Sequence, residues 1–257
     1  MVFCVPMLFG ANLAWYLVIV VFTVAIIGPD GTGKSTVARK LIEVLPFPAK
    51  YLYMGVNLDA GNVMLPSTRL IRWLRMRSTR TARTRGLQGR ASLRTEARNP
   101  IKVALKGIKF WLGLANRFAE EWYRQVLAWT YKRRGYIVVF DRHFYADYFA
   151  SDIAGNARSK GIGARMHGIM LERFYPKPDL AILLDAPAEL LFSRKAEGSE
   201  ELLDRLRQDY VCVREHLKST VCIDAGQPLE AVTGQAAEAI MKFHRDRRAT
   251  PVSAENS

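Results

Sequence analysis

The sequence predicts an α/β protein built on a doubly wound, five-stranded parallel sheet. Two observations carry this prediction. Short runs rich in β-branched residues alternate with segments whose apolar residues recur every three or four positions. A glycine-rich loop also joins the first of these runs to the first helical segment. The chain of 257 residues is long enough for one large domain, or for a domain with an insertion.

Five apolar runs are expected to form the strands of the sheet. Strands that are separated by helices pair in parallel, with the crossovers covering both faces. The runs are residues 21–27 (VFTVAII), 50–55 (KYLYMG), 136–140 (YIVVF), 179–185 (DLAILLD) and 221–224 (VCID).

Helices are predicted between the strands, where apolar residues recur at helical spacing. The first covers residues 34–45 and is ended by Pro46. A long amphipathic helix ends at Gly135, and another helix follows the fifth strand, before a loose tail at 245–257. The apolar positions are Val37, Leu41 and Val44, then Phe118, Trp122, Val126 and Trp129, then Val232, Ala236 and Ile240.

Positive charge is concentrated in one part of the chain. The formal net charge is +14, and residues 69–109 alone hold ten Arg, three Lys and one Glu, a net +12. We expect residues 66–109 to form a poorly ordered or mobile basic insertion in an otherwise near-neutral body. Its partner is left open between an anionic lipid, an acidic polymer and no partner at all. Nucleic acid is not favoured, because Trp73 is the only aromatic residue within residues 69–109.

Residues 1–21 carry no charge and are broken by Pro6, Gly10 and Asn12. Three interpretations stay open for this apolar N-terminal extension: an extra packed element or non-native extension, a membrane anchor, and a cleaved signal. The three cysteines form no CxxC pair, and the four histidines have no metal-ligand spacing. These features favour a cytoplasmic compartment, with membrane association through residues 1–21 as the alternative.

Residues 28–35 match the phosphate-loop pattern G-x-x-x-x-G-K-[ST], with a strand before the loop and a helix after it. Backbone N–H groups of such a loop turn towards the phosphates of a nucleoside triphosphate, and the helix N-terminus adds partial positive charge. Lys34 is expected to reach the β- and γ-phosphates, and Ser35 to complete the Mg²⁺ shell. ATP and Mg²⁺ are the predicted cofactors. The nucleotide-binding residues predicted here are Gly28, Pro29, Asp30, Gly31, Thr32, Gly33, Lys34, Ser35 and Thr36.

Asp141, Arg142 and His143 follow the third predicted strand, at the sheet edge where ligands of open α/β sheets bind. We expect Asp141 to hold Mg²⁺ through water, and Arg142 to clamp a second phosphate. These three residues are the predicted acceptor site. An arginine beside the Mg²⁺ carboxylate favours a small acceptor that carries its own phosphate, and so a phosphoryl transferase over a motor or a switch.

Residues 190–210 follow the fourth strand and carry charges of both signs, among them Arg194, Lys195, Arg205 and Arg207. A mobile lid that places a cation over the transferred phosphoryl group has this composition. A solvated helix with ion pairs one turn apart has it as well. The lid is the favoured interpretation.

Four segments together resemble the thymidylate kinase family of P-loop nucleoside monophosphate kinases. They are GPDGTGKST, DRH after a strand, PDLAILLDAPAELLFSRK and VCIDAGQPLEAV, and the likeness covers residues 22–56 and 115–243. The resemblance implies a kinase domain over residues 22–244. It also implies that Asp30 approaches the acceptor sugar and the metal, that Arg142 binds the acceptor phosphate, and that Arg194 bridges the phosphates from the lid. The residues placed by the resemblance against adenine are Ala225, Gly226, Gln227 and Pro228.

The departures from the family pattern lie on the acceptor side. The chain has YMGVN where dTMP-phosphorylating members carry Arg-Glu-Pro-Gly-Gly, and Ala146 and FAS (149–151) where they carry a serine and an Ala-Tyr-Gln run. Gly31 stands where some members place an arginine, which assigns the catalytic cation to the lid.

The first hypothesis is therefore an ATP-dependent kinase that converts dTMP to dTDP, with a homodimer left open. A kinase for a phosphorylated sugar, lipid or glycan intermediate is the second. The third is an ATP-binding module that recruits an anionic partner through its basic segment.

Overall fold

The computed structural model describes residues 2–4, 18–55, 63–70, 73, 100–154, 161–195 and 199–249. Two compact units are present. One comprises residues 1–62 and 125–257, and the other comprises residues 63–124.

A five-stranded, all-parallel sheet forms the centre of the larger unit and confirms the predicted fold class. The strands are β3 (Thr23–Ile27), β4 (Ala49–Tyr53), β5 (Ile137–Asp141), β6 (Leu180–Asp185) and β7 (Thr220–Asp224). Their order across the sheet is β4-β5-β3-β6-β7. The order reverses direction at β3, so the carboxyl ends of β3, β5 and β6 meet at the position where such sheets bind ligands.

Two short strands precede this sheet. They are β1 (Val2–Cys4) and β2 (Val18–Val20), and they pair antiparallel, with Val2 opposite Val20. The extension at 1–21 therefore contains a two-stranded element, whereas residues 5–17 lie outside the described residues. None of the helices in the described ranges combines the length and the hydropathy needed to cross a membrane.

Helices connect the strands. They are α1 (Lys34–Val44), α2 (Pro100–Arg133), α3 (Phe144–Asp147), α4 (Ile162–Arg173), α5 (Ala188–Arg194), α6 (Glu200–Glu215) and α7 (Leu229–Ala249), with a π-helical turn at Phe149–Ile153. Helix α7 continues through residues 245–249, so only residues 250–257 of the predicted tail lie outside the described residues.

The hydrophobic core lies where α1 and α7 pack against each other and against the sheet. All five residues of β3 are buried, as expected for a central strand that is covered on both faces. Leu41 of α1 and Ile240 of α7 are completely inaccessible to water. This core fixes the C-terminal end of β3 and the first turn of α1, and therefore the loop between them.

The smaller unit differs from the sequence-based expectation. Residues 100–109, predicted within a poorly ordered insertion, form the first turns of α2, because Pro100 suits a helix start and Ala, Leu and Lys favour helix. Residues 66–70 are also helical, and residues 74–99 lie outside the described residues. Glu120 links the two helical segments: its Oε2 accepts hydrogen bonds from the Leu65 amide at 3.0 Å and the Thr68 hydroxyl at 2.9 Å.

Candidate active site

The phosphate loop begins where β3 ends and runs into the first turn of α1. Gly28 has a φ of 140°, and a Cβ atom at this position would collide with the carbonyl oxygen of Leu184 in β6. Gly33 precedes the helix with a φ of 80°, and its carbonyl accepts hydrogen bonds from the amides of Thr36 and Val37 at 3.0 Å each. These conformations suit glycine, which explains the spacing of the motif. The loop therefore ends on the N-terminus of a helix, as an anion site requires.

Lys34 is buried at the base of the loop. Its Nζ atom donates a hydrogen bond to the Pro29 carbonyl at 2.6 Å and lies 3.4 Å from Oδ1 of Asp30. Burial, reinforced by the positive charge of Arg142 and opposed by the negative charges of Asp30 and Asp147, lowers the pKa of Lys34 to about 8. The ammonium group is still mainly protonated at neutral pH, so it is available to an anionic ligand.

Arg142 meets Asp30 across the site. Its Nη2 atom donates a hydrogen bond to Oδ1 of Asp30 at 2.6 Å. Burial alone would raise the pKa of Asp30, but Lys34 and Arg142 outweigh it and lower the pKa. Burial likewise opposes the charged form of Arg142, and the carboxylates of Asp147 and Asp30 raise its pKa above the usual range. Both groups are therefore ionised at neutral pH.

The backbone of Arg142 is unusual, since its φ is 70° and no other non-glycine residue in the described ranges has a positive φ. Its amide donates to the carbonyl of Ile26 at 3.0 Å, so the residue still takes part in the sheet while its side chain leaves the strand direction. Left-handed backbone at a non-glycine residue costs energy and occurs preferentially at functional sites. The strain coincides here with the arginine that the sequence predicts as the phosphate clamp.

Asp141 is fully buried at the end of β5. Its Oδ2 atom accepts a hydrogen bond from the Tyr51 hydroxyl at 2.6 Å, and its Oδ1 atom has no partner among the described residues. A carboxyl oxygen without a protein partner fits a water molecule in the shell of Mg²⁺, and the Ser35 hydroxyl is the hard ligand such an ion prefers. No group of three or more His, Cys, Asp or Glu within the described ranges could itself hold a metal ion.

His143 is placed differently from its predicted role. It is buried, caps helix α3 by accepting a hydrogen bond from the Tyr145 amide at 3.3 Å, and lies 5.6 Å from the Phe140 ring between ring centroids. Burial lowers its pKa to about 3, so the imidazole is neutral at physiological pH. Among the described residues it lines neither cavity of the site, and its contact with an acceptor stays a prediction.

Two cavities adjoin at the phosphate loop. The first, about 270 Å³, is lined by both Arg142 and the loop, and the second, about 250 Å³, reaches the turn after β7. Arg194 lines both. The first is bordered by Asp30, Gly31, Gly33, Lys34, Ser35, Thr36, Arg142, Arg194 and Lys195. The second is bordered by Gly31, Thr32, Gly33, Thr36, Val37, Arg194, Ala225, Gln227, Leu229 and Val232.

The predicted lid, residues 190–210, comprises most of helix α5 and the larger part of α6. Arg194 ends α5, and its Nη1 atom donates a hydrogen bond to the Ala225 carbonyl at 2.7 Å. Arg207 donates two hydrogen bonds to the Asp185 carboxylate, at 2.8 and 3.0 Å, and therefore pairs with the end of β6. Residues 196–198 lie outside the described residues, and closure of a lid stays a prediction.

The sequence interpretation missed Asp147. Its Oδ1 atom accepts a hydrogen bond from the Tyr210 hydroxyl at 3.1 Å, and its buried Oδ2 atom has no hydrogen-bond partner among the described residues. Burial raises the pKa of Asp147 to about 6, although Arg142, Lys34 and Tyr210 act to lower it. A single carboxylate within the aromatic run FYADYF was the signal that could have indicated it.

The fold and the loop define a P-loop α/β protein, and the comparisons with known proteins add a relative. The chain is 38% identical over 114 residues to a probable thymidylate kinase from Archaeoglobus fulgidus, which confirms the predicted resemblance. The match covers 42% of this chain and 55% of that protein, so it spans about half of the relative's length. No family model matches the sequence.

A solved structure of deoxyadenosine kinase from M. mycoides, with the products dCMP and dCDP bound, has a TM-score of 0.45 and 12% identity. The alignment covers 86% of this chain and 99% of that one.

Proposed function

We propose that the chain transfers the terminal phosphoryl group of ATP to the phosphate of a nucleoside monophosphate, with dTMP as the acceptor. The observation that carries this proposal is the 2.6 Å contact between Arg142 and Asp30. This contact brings an arginine from the end of β5 onto the loop that would hold the donor phosphates. A nucleotide-hydrolysing switch has no need for a second phosphate clamp at this position.

The transfer joins two anions, and the cations of the site are suited to that task. An oxygen of the acceptor phosphate forms a bond to the γ-phosphorus of ATP as the bond to the β,γ-bridging oxygen breaks, which gives ADP and a nucleoside diphosphate. Lys34 and the loop amides bind the donor phosphates, while Arg142 orients the acceptor phosphate. Arg194 borders both cavities, so it could reach the charge that develops on the transferred group. Positioning and electrostatic stabilisation suffice for this chemistry, with no covalent intermediate.

Mg²⁺ supplies charge neutralisation at the β- and γ-phosphates when it is bound. Ser35 would contact it directly, and Asp141 would hold it through water. Tyr51 fixes the Asp141 carboxylate by its hydrogen bond to Oδ2, and this leaves Oδ1 as the oxygen that would accept a hydrogen bond from a water of the Mg²⁺ shell.

The acceptor proposal rests on the relative named as a probable thymidylate kinase, together with the motifs that the chain shares with that family. Purified chain is assayed for ADP formation from ATP with dTMP, dUMP, CMP, AMP or a simple sugar as acceptor. We expect the highest kcat/KM with dTMP. A folded protein that binds ATP and phosphorylates none of the nucleotides would contradict the proposal.

Variants separate the two halves of the site. Arg142→Gln is expected to lower kcat/KM for the acceptor by about a hundredfold or more, with ATP affinity retained. The reason is that the acceptor phosphate loses a charged hydrogen-bond donor. Lys34→Met is expected to weaken ATP binding itself. Arg245→Gln removes an exposed arginine of α7 and serves as the matched control, with unchanged kinetics. An acceptor KM and kcat equal to wild type in Arg142→Gln would show that another cation binds the acceptor.

A further inference from the structure

Helix α2 exposes four large apolar side chains within about one and a half turns. Ile108, Phe110, Trp111 and Leu112 are 55%, 48%, 51% and 65% exposed, and we call these four residues the 108–112 surface. Lys109, which lies between Ile108 and Phe110, is exposed as well, and so are the flanking Gly107 and Gly113. A helix of a globular protein normally turns such residues inward, and a contiguous exposed group of them marks an interaction surface.

Charge identifies the partner that this surface fits. Residues 69–109, which run directly into the surface, carry a net charge of +12, and the exposed Lys109 lies within it. Aromatic and branched apolar side chains next to clustered Lys and Arg are typical of helices that lie in the interface of an anionic bilayer. Tryptophan is especially suited to the headgroup level, where one edge of its ring is wet and the other apolar.

We propose that the 108–112 surface docks on an anionic lipid bilayer. The apolar side chains of one helix side enter the boundary between headgroups and acyl chains, and the positive charge of Lys109 and of the adjoining sequence attracts the acidic headgroups. The helix lies on the membrane and does not span it, which agrees with the lack of a membrane-spanning helix in the described part of the chain. This inference concerns the location of the protein and is independent of the phosphoryl acceptor.

A second copy of this chain fits the surface less well. A two-fold symmetric interface places the same patch of both copies against each other, and each copy would bring its own +12 segment to the contact. Like charges at this density oppose association. A bilayer with acidic headgroups presents the complementary sign.

Nucleic acid supplies the complementary charge but not the complementary shape. The rings of Phe110 and Trp111 meet edge to face, with an interplanar angle of 76°, so they do not offer parallel faces to successive bases. Ile108 and Leu112 have no stacking face, and burying them against a polyanion gains little. At 3.6 residues per turn, Ile108, Trp111 and Leu112 fall on one side of the helix, and lipid buries these three side chains.

Vesicle co-sedimentation of the full chain tests the proposal. Wild-type protein is mixed with vesicles of phosphatidylcholine alone, or of phosphatidylcholine with phosphatidylglycerol, at low and at high salt. We expect binding only to the phosphatidylglycerol vesicles. Ile108→Gln combined with Leu112→Gln is expected to lower the partition coefficient by about tenfold or more, because two apolar side chains no longer enter the lipid.

The matched control is Ile162→Gln combined with Ile169→Gln, two residues that are 66% and 52% exposed on helix α4. This control is expected to bind vesicles as wild type does, and thermal melting is expected to show all three proteins folded. Equal vesicle binding by the two double variants would overturn the proposal, since charge alone would then explain it. The proposal would also be overturned if wild-type protein did not bind the vesicles. In that case, loss of dimerisation by the 108–112 variant in sedimentation velocity would indicate a second copy as the partner, and loss of binding to a single-stranded oligonucleotide would indicate nucleic acid.

Discussion

The carboxyl group of Asp147 gives the fold a dependence on pH that a single substitution can remove. The groups that face it are Arg142, Lys34, Asp30 and the Tyr210 hydroxyl. Burial raises its pKa from 3.8 to about 6. The folded chain therefore keeps a proton between about pH 4 and pH 6 that the unfolded chain has already released, and the stability contributed by this group falls as pH rises through that interval.

The size of the effect follows from the two pKa values. The complete loss is about 3 kcal/mol in the free energy of unfolding, and about 2 kcal/mol of it falls between pH 4.5 and pH 7.5. Asp147→Asn cannot ionise and keeps an oxygen that accepts the hydrogen bond from Tyr210. We expect the stability of the variant, measured relative to wild type, to increase by about 2 kcal/mol between these two pH values.

Urea denaturation followed by circular dichroism at about pH 4.5 and pH 7.5 measures this difference. His143, whose pKa is lowered by burial alone, is present in both proteins and cancels in the comparison. Glu172→Gln removes an exposed carboxylate of α4, and its stability relative to wild type is expected to be the same at both pH values. A stability difference between Asp147→Asn and wild type that is independent of pH, or that decreases with pH, would refute the reasoning.

Two further predictions concern the clamp and the core. A Cβ atom at Gly55 would collide with Cδ of Arg142, so Gly55→Ala is expected to displace the arginine and raise the acceptor KM in steady-state kinetics. Gly234→Ala, where a Cβ meets open space, is its control, and equal KM values in both would contradict this role. Leu41→Ala is expected to lower the free energy of unfolding by about 2–5 kcal/mol in urea titrations, because Leu41 is completely buried, and a loss below about 1 kcal/mol would contradict this packing.

Local sequence predicted the framework of this protein well. The five strands were predictable because each is a short run of mainly apolar residues bounded by loop residues, and observed strand ends lie within about two residues of the predicted ones. The loop at 28–35 was predictable because its glycines report backbone conformations that glycine alone adopts readily, as at Gly28 and Gly33.

Features that depend on tertiary packing were not predictable from local sequence. Periodicity indicates that α2 is amphipathic but not which of its sides is buried: Val126 and Trp129 are 49% and 41% exposed, whereas Glu121 and Arg124 are buried. The pKa of Asp147 depends on Tyr210, which is 63 residues away in the sequence. The burial of His143 as the N-cap of helix α3 likewise depends on packing that its position after Arg142 does not reveal.

The contact between Lys34 and the Pro29 carbonyl has a consequence for how a nucleotide enters. A solvated ammonium group must give up its hydration water before it can hold a phosphate, and that loss would count against affinity. In this chain Lys34 loses most of its contact with solvent when the loop folds, and the cation exchanges a carbonyl oxygen for a phosphate oxygen when the ligand arrives. The incoming nucleotide therefore meets a cation that has already lost most of its contact with solvent and is already positioned. The free-energy cost of dehydrating the ammonium group then falls mainly on folding rather than on binding.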